Sequence, residues 1–162
     1  MAGRVATIGV YGFNAESFLD ALRGAGAVLV LDVRQRRGVR GSEYAWANSK
    51  RLQALLAGAG IGYRHLAELA PTTELRQVQY REDDRLGVGK RSRAKLAEEY
   101  SRRYTAEILD RADLEAIGAE LPAGLSVLLC VERDPAACHR SLVAERIAGA
   151  GVLHLLPPQS SS

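Results

Sequence analysis

The chain has 162 residues, 47% hydrophobic and 25% charged, which suits one globular domain with a single core. Aromatics at 6% argue against an all-β barrel or sandwich, no apolar run approaches the roughly 18 residues of a membrane span, and two cysteines are too few for a disulfide framework. The net charge of +3 is small but unevenly placed: residues 34–40 carry four arginines and no acid, and residues 76–95 carry seven bases against three acids. Such confinement of charge is expected of an anion-binding edge.

Strand and helix patterns alternate along the chain. The N-terminus lacks the apolar core of a signal peptide and enters a β-type run at Val5–Val10, so a cytoplasmic protein is expected. Asn14 can cap a helix that buries Phe18, Leu19 and Leu22 and stops at Gly24 and Gly26. Val28–Leu31 is continuously apolar, as in a strand buried on both faces. After the basic loop, Ser42 is the expected cap of a helix with Leu52, Leu55 and Leu56 facing inward, and Ile61–Leu66 reads as a third strand. Residues 67–91 break the rhythm: Pro71, the acids Glu82, Asp83 and Asp84, and Gly87-Val-Gly-Lys90 suggest a long loop or lid. Ser92 is the expected cap of a helix carrying Ala97, Tyr100, Tyr104 and Ile108, and a shorter helix follows from about Asp113. Leu125–Val131 is the fourth strand, a helix starts near Cys138-His139-Arg140, and Gly151–Leu156 is the last strand.

This pattern predicts a single α/β domain over residues 1–158, followed by a disordered tail at 159–162. Its core is a mostly parallel sheet of about five strands with helices on both faces. Ligands in such sheets bind beyond the carboxyl ends of the strands. The rule gathers Tyr11, Phe13, Asp32, Arg34, Tyr63, His65, Glu68, Cys130, Glu132 and His154 on one rim.

Three segments carry a family resemblance: Asp32-Val-Arg34, Tyr63-Arg-His65-Leu66, and Cys130-Val-Glu-Arg-Asp-Pro-Ala-Ala-Cys138-His139-Arg140. Together they resemble the DUF488 family, small bacterial and archaeal proteins of unknown function. The resemblance runs from about Ala6 to Leu156 and implies the same fold class and site location. Two departures are visible. Gly9-Val10-Tyr11-Gly12 stands where members often carry a Gly-His-Ser type sequence, and Leu69-Ala70-Pro71 replaces a Leu-Gly-Gly type turn. Any role of that missing histidine is not carried over.

Residue chemistry then suggests roles. Cys138, His139 and Arg140 at a helix start favour an anion, through unpaired N–H groups and the guanidinium fork. The same field would favour a Cys138 thiolate, although Arg140 follows it by only two positions, unlike the spacing of cysteine phosphatases. Glu132 and Asp32 are candidate acid–base groups or orienters of arginine. His65 and Cys138 are candidate assistants, and Arg34, Arg140, His139, Tyr63 and Tyr11 are candidate anion or substrate contacts. No cofactor is predicted. A divalent metal stays an alternative: Cys130, Cys138, His139 and His65 could supply a Cys₂His₂ zinc set, but the spacing is poor and the adjacent Cys138 and His139 would point apart on a helix. Gly87-Val-Gly-Lys90 is no phosphate loop, because Asp84 stands where its first glycine belongs.

The favoured expectation is an enzyme, a hydrolase or transferase, acting on a phosphate-bearing small molecule or nucleic acid. The first alternative is a non-catalytic nucleic-acid-binding module that uses Arg36, Arg37, Arg40, Lys90 and Arg91. The second is a thiol redox or metal-responsive protein. No membrane partner is expected.

Overall fold

A computed structural model describes residues 4–89, 93–148 and 152–158. Five strands, β1 (Arg4–Ile8), β2 (Ala27–Asp32), β3 (Gly62–His65), β4 (Leu125–Leu129) and β5 (Leu153–Leu155), form an all-parallel sheet in the order β3-β2-β4-β1-β5. The central strand β4 is buried at every residue, so both faces of the sheet are covered there, as parallel sheets require. Asp32 is in register with both His65 on β3 and Leu129 on β4. The carboxyl ends of the three strands are therefore level, and the residues just beyond them share one edge.

Local chemistry explains the helices. In α1 (Ala15–Ala25), Asn14 and Ser17 form a reciprocal capping box, and Gly26 closes the helix at φ 77°, in the left-handed region that glycine adopts without strain. Phe18 and Leu22 face the core, each contributing about 1.5–3 kcal/mol. Trp46 packs on Phe18 with ring centroids 4.8 Å apart, an ordinary core contact.

Ser42 does not cap α2 (Ser49–Gly58). It opens a 3₁₀ turn over Ser42–Ala47, and Asn48 takes the cap position. The Asn48 carboxamide oxygen accepts instead from the Val39 amide at 2.8 Å, which ties the basic loop to the helix start.

The expected loop at 67–91 is mostly ordered secondary structure. A 3₁₀ turn at Ala67–Leu69 leads into α3 (Thr73–Leu86), capped by Thr72 and closed by Gly87 at φ 70°. The acidic run does not break this helix because arginines answer it: Arg85 pairs with Glu82, and Arg93 pairs with Asp83. Lys90, Arg91 and Ser92 lie outside the described residues. The next helix, α4 (Glu98–Tyr104), starts later than expected and runs into a π-helical turn over Thr105–Leu109. Tyr100 and Tyr104 are buried there and stacked, and the Tyr104 hydroxyl donates to the Leu69 carbonyl at 2.5 Å.

Asp113 caps α5 (Leu114–Ala119), and α6 (His139–Ala148) follows a 3₁₀ turn at Pro135–Ala137. His154 on β5 meets the Thr7 hydroxyl of β1 at 2.5 Å, as a satisfied edge residue. Residues 159–162 lie outside the described chain. Among the described residues, no helix is long and apolar enough to cross a membrane.

Candidate functional site: a basic cavity at the carboxyl edge of the sheet

A cavity of about 700 Å³ opens beyond the ends of β2 and β4. Among the described residues, Arg34, Arg36, Arg40, Arg76 and Arg93 line it, against a single carboxylate, Glu132. Tyr11, Tyr80 and Tyr100 add aromatic surface, and Cys130, Cys138 and His139 complete the lining. The position agrees with the rule for open parallel sheets.

The arginines differ in how far their charge is already answered. Arg34 is 1% exposed; its Nε and Nη2 donate to Asp32 Oδ1 and Oδ2 at 2.9 and 2.8 Å, and its Nη1 donates to the Ala47 carbonyl. Arg93 donates to both oxygens of Asp83, to Glu132 Oε1 at 3.1 Å and to the Ala137 carbonyl. Arg76 has the neutral partners Gln35 Oε1 and the Tyr80 hydroxyl, which leave its charge uncancelled. Arg36 and Arg40 are exposed at the mouth.

Several expected site residues are brought together, and others are not. Tyr11, Arg34, Glu132, Cys138 and His139 all line the cavity. Asp32 is fully buried behind Arg34, where it also accepts from the Tyr63 hydroxyl at 2.6 Å. It orients the arginine, and it is not among the lining residues. Tyr63 and His65 stand in the same supporting layer. Arg37 donates to the Tyr63 hydroxyl, and His65 Nε2 donates to the Arg34 carbonyl at 2.9 Å. Burial, opposed by Arg37 and reinforced by Asp32, raises the Tyr63 phenol above its usual range, so it stays a donor.

Arg140 departs from its expected role. It is fully buried, and its Nη1 and Nη2 donate to the Glu132 and Arg133 carbonyls at 2.5 and 3.3 Å. It clamps the turn between β4 and α6 and does not line the cavity. The adjacent Gly9 permits this packing, since a Cβ there would stand 2.0 Å from the Glu132 carbonyl oxygen. Of the expected nucleic-acid contacts, Arg36 and Arg40 reach the mouth, Arg37 is held by Tyr63, and Lys90 and Arg91 fall outside the described residues.

Cys138 and His139 converge, contrary to the expectation from a helix. Cys138 has extended backbone, φ −138° and ψ 145°, between the 3₁₀ turn and α6, so the helical angle between neighbours does not apply. His139 Nδ1 lies 3.6 Å from Cys130 Sγ and 3.8 Å from Cys138 Sγ, while Nε2 is 2.8 Å from the Val33 carbonyl. Burial alone would raise the Cys138 thiol. The hydrogen bond from Cys130 and the charge of His139, with Arg140 behind, outweigh it and hold Cys138 well below the usual thiol range. Burial likewise lowers His139, but the Cys138 charge and the Val33 carbonyl raise it on balance. Cys130 Sγ also lies 3.6 Å from Glu132 Oε2.

The model of the domain of unknown function DUF488 matches residues 14–147, most of the chain. The chain belongs to the DUF488 family. No curated protein and no solved structure matches it. The matched stretch of this DUF488 chain contains every cavity residue named above except Tyr11. Sequence reasoning missed Arg76, Gln79, Tyr80 and Arg93 in the lining, and Asp83 behind Arg93. Gln79 Nε2 donates to Asp83 Oδ1, and its Oε1 accepts from the Ala97 amide, which joins α3 to the start of α4. The available signal was the pairing of the 82–84 acids with the bases that follow them, which reads equally well as a solvated loop.

Proposed function

We propose that this protein is an enzyme acting on a phosphate-bearing ligand held in the basic cavity. The observation that carries the reading is the charge of the lining, five arginines to one carboxylate, with reactive side chains below. Arg36 at the mouth and Arg76 on the wall bind the anion. Arg34 and Arg93, fixed and already answered by Asp32 and Asp83, shape the floor. Glu132 is the acid–base group, oriented by Arg93, with Cys138 and His139 beside it. A chamber of this volume favours an enclosed small ligand over a groove that tracks a nucleic-acid backbone.

A turnover screen over phosphate monoesters, diesters and nucleotides tests the reading, using wild type, Glu132→Gln and Arg36→Ala. Activity that Glu132→Gln abolishes and Arg36→Ala weakens through KM supports it. If no compound turns over, while oligonucleotides bind with a steep salt dependence equally well in wild type and Glu132→Gln, the chain is instead a nucleic-acid-binding module.

A further inference from the structure

We propose that Cys130 Sγ, Cys138 Sγ and His139 Nδ1 form a mononuclear site for a divalent transition metal of the zinc class, with the fourth coordination position open to the cavity. The inference uses only the cavity floor and stands apart from the identity of the ligand above it.

Three observations converge. First, the three donor atoms lie within 4.8 Å of one another, and all three residues are buried. Tetrahedral bonds of roughly 2.3 Å to sulfur and roughly 2.0–2.1 Å to nitrogen would separate a sulfur and a nitrogen by about 3.6 Å. The observed separations are 3.6 and 3.8 Å. These two separations match those of ligands sharing one small ion, and Cys130 Sγ, which also lies 3.9 Å from Nε2, joins them by turning toward the Nδ1 side.

Second, the far side of the histidine is anchored as in metal sites. A carbonyl only accepts, so the 2.8 Å contact with Val33 puts a proton on Nε2 and leaves Nδ1 as the ring nitrogen for a metal. Ligating histidines usually hold their other ring nitrogen on such a partner, which fixes ring orientation and tautomer. The Tyr104 ring, with its centroid 5.3 Å from that of His139, packs beside it.

Third, the donor set is open on one side. All three residues line the cavity, so a metal bound there keeps a position for water or ligand, as in sites with three protein ligands. Thiolate and imidazole donors suit zinc and exclude the oxygen-seeking magnesium and calcium. The wide spacing along the chain, which argues against zinc in sequence, is closed in space because Cys130 directly follows β4 and Cys138 returns to it just before α6.

The test is anaerobic titration of chelator-stripped protein with cobalt(II), after thiol titration shows two reduced cysteines per chain. The expected result is a saturating spectrum at one equivalent, with intense tetrahedral visible bands and a thiolate charge-transfer band, both removed by zinc. Cys130→Ser and His139→Gln, checked for folding by thermal melts, should lose affinity by more than the roughly 10–100-fold typical of removing a ligand's hydrogen-bond partner. His154→Gln, at the far edge of the sheet, should leave the spectrum unchanged. A fully reduced wild type that gives only the pale spectrum of solvated cobalt overturns the proposal. So does a cobalt spectrum that survives intact in folded Cys130→Ser.

Discussion

The Arg34 side chain folds back onto Asp32, two residues before it, and meets both carboxylate oxygens from a position almost wholly out of water. Tyr63 supplies a further donor to the same carboxylate. Removing one partner of such a pair strands a buried charge, at about 3–5 kcal/mol. Asp32→Ala should lose about that much in urea unfolding. Tyr63→Phe should lose about 1.5–3 kcal/mol, since its hydroxyl donates to a charged group.

Arg93 is the equivalent tie on the other wall, joining Asp83 of α3 to Glu132 beyond β4. Arg93→Ala removes the buried cation that Asp83 holds through both oxygens and should cost about 3–5 kcal/mol by the same measurement. Arg36→Ala removes an exposed charge and should stay within about 0.5 kcal/mol of wild type. Similar losses for the two variants would contradict the division between scaffold and ligand-facing arginines.

Gly9 makes the site turn possible. A Cβ would stand 2.0 Å from the Glu132 carbonyl, which is also the acceptor that Arg140 holds at 2.5 Å. Backbone cannot yield as a flexible side-chain tip can. Gly9→Ala should therefore reach or exceed the upper end of overpacking costs, about 3 kcal/mol, seen as a lowered melting temperature.

Much of the fold was legible because periodicity and caps state it directly. The run Leu125–Leu129 announces a strand covered on both faces, and Asn14 and Gly26 bracket α1 as expected. The rim position of Arg34, Glu132, Cys138 and His139 follows from parallel topology alone. What escaped depends on pairings between distant segments. The acids at 82–84 read as a loop because their arginine partners could not be assigned without coordinates. Arg140 read as a ligand contact because sequence cannot show that two backbone carbonyls claim its fork. Cys138 and His139 read as diverging because both were taken as helical, whereas Cys138 is extended and precedes α6.

Stability should carry a small acid-side signature from His154. Burial first, then the charge of Arg140, lowers its pKa from the ordinary 6.5. The unfolded chain therefore takes up this proton more readily than the folded one. The sign follows: stability is full above about pH 6.5 and is lost as pH falls through the lowered folded value. Unfolding free energies of wild type and His154→Gln, followed from pH 8 to pH 5, should show wild type falling more steeply.

Thermal shift with phosphate-bearing compounds, comparing wild type with Arg36→Ala/Arg76→Ala, shows whether the cavity at the sheet edge binds an anion. A ligand at about 100 times its Kd should raise the wild-type melting temperature by roughly 5–10 °C. The double variant should lose most of that rise. An equal rise in both proteins would place the anion elsewhere and contradict the account.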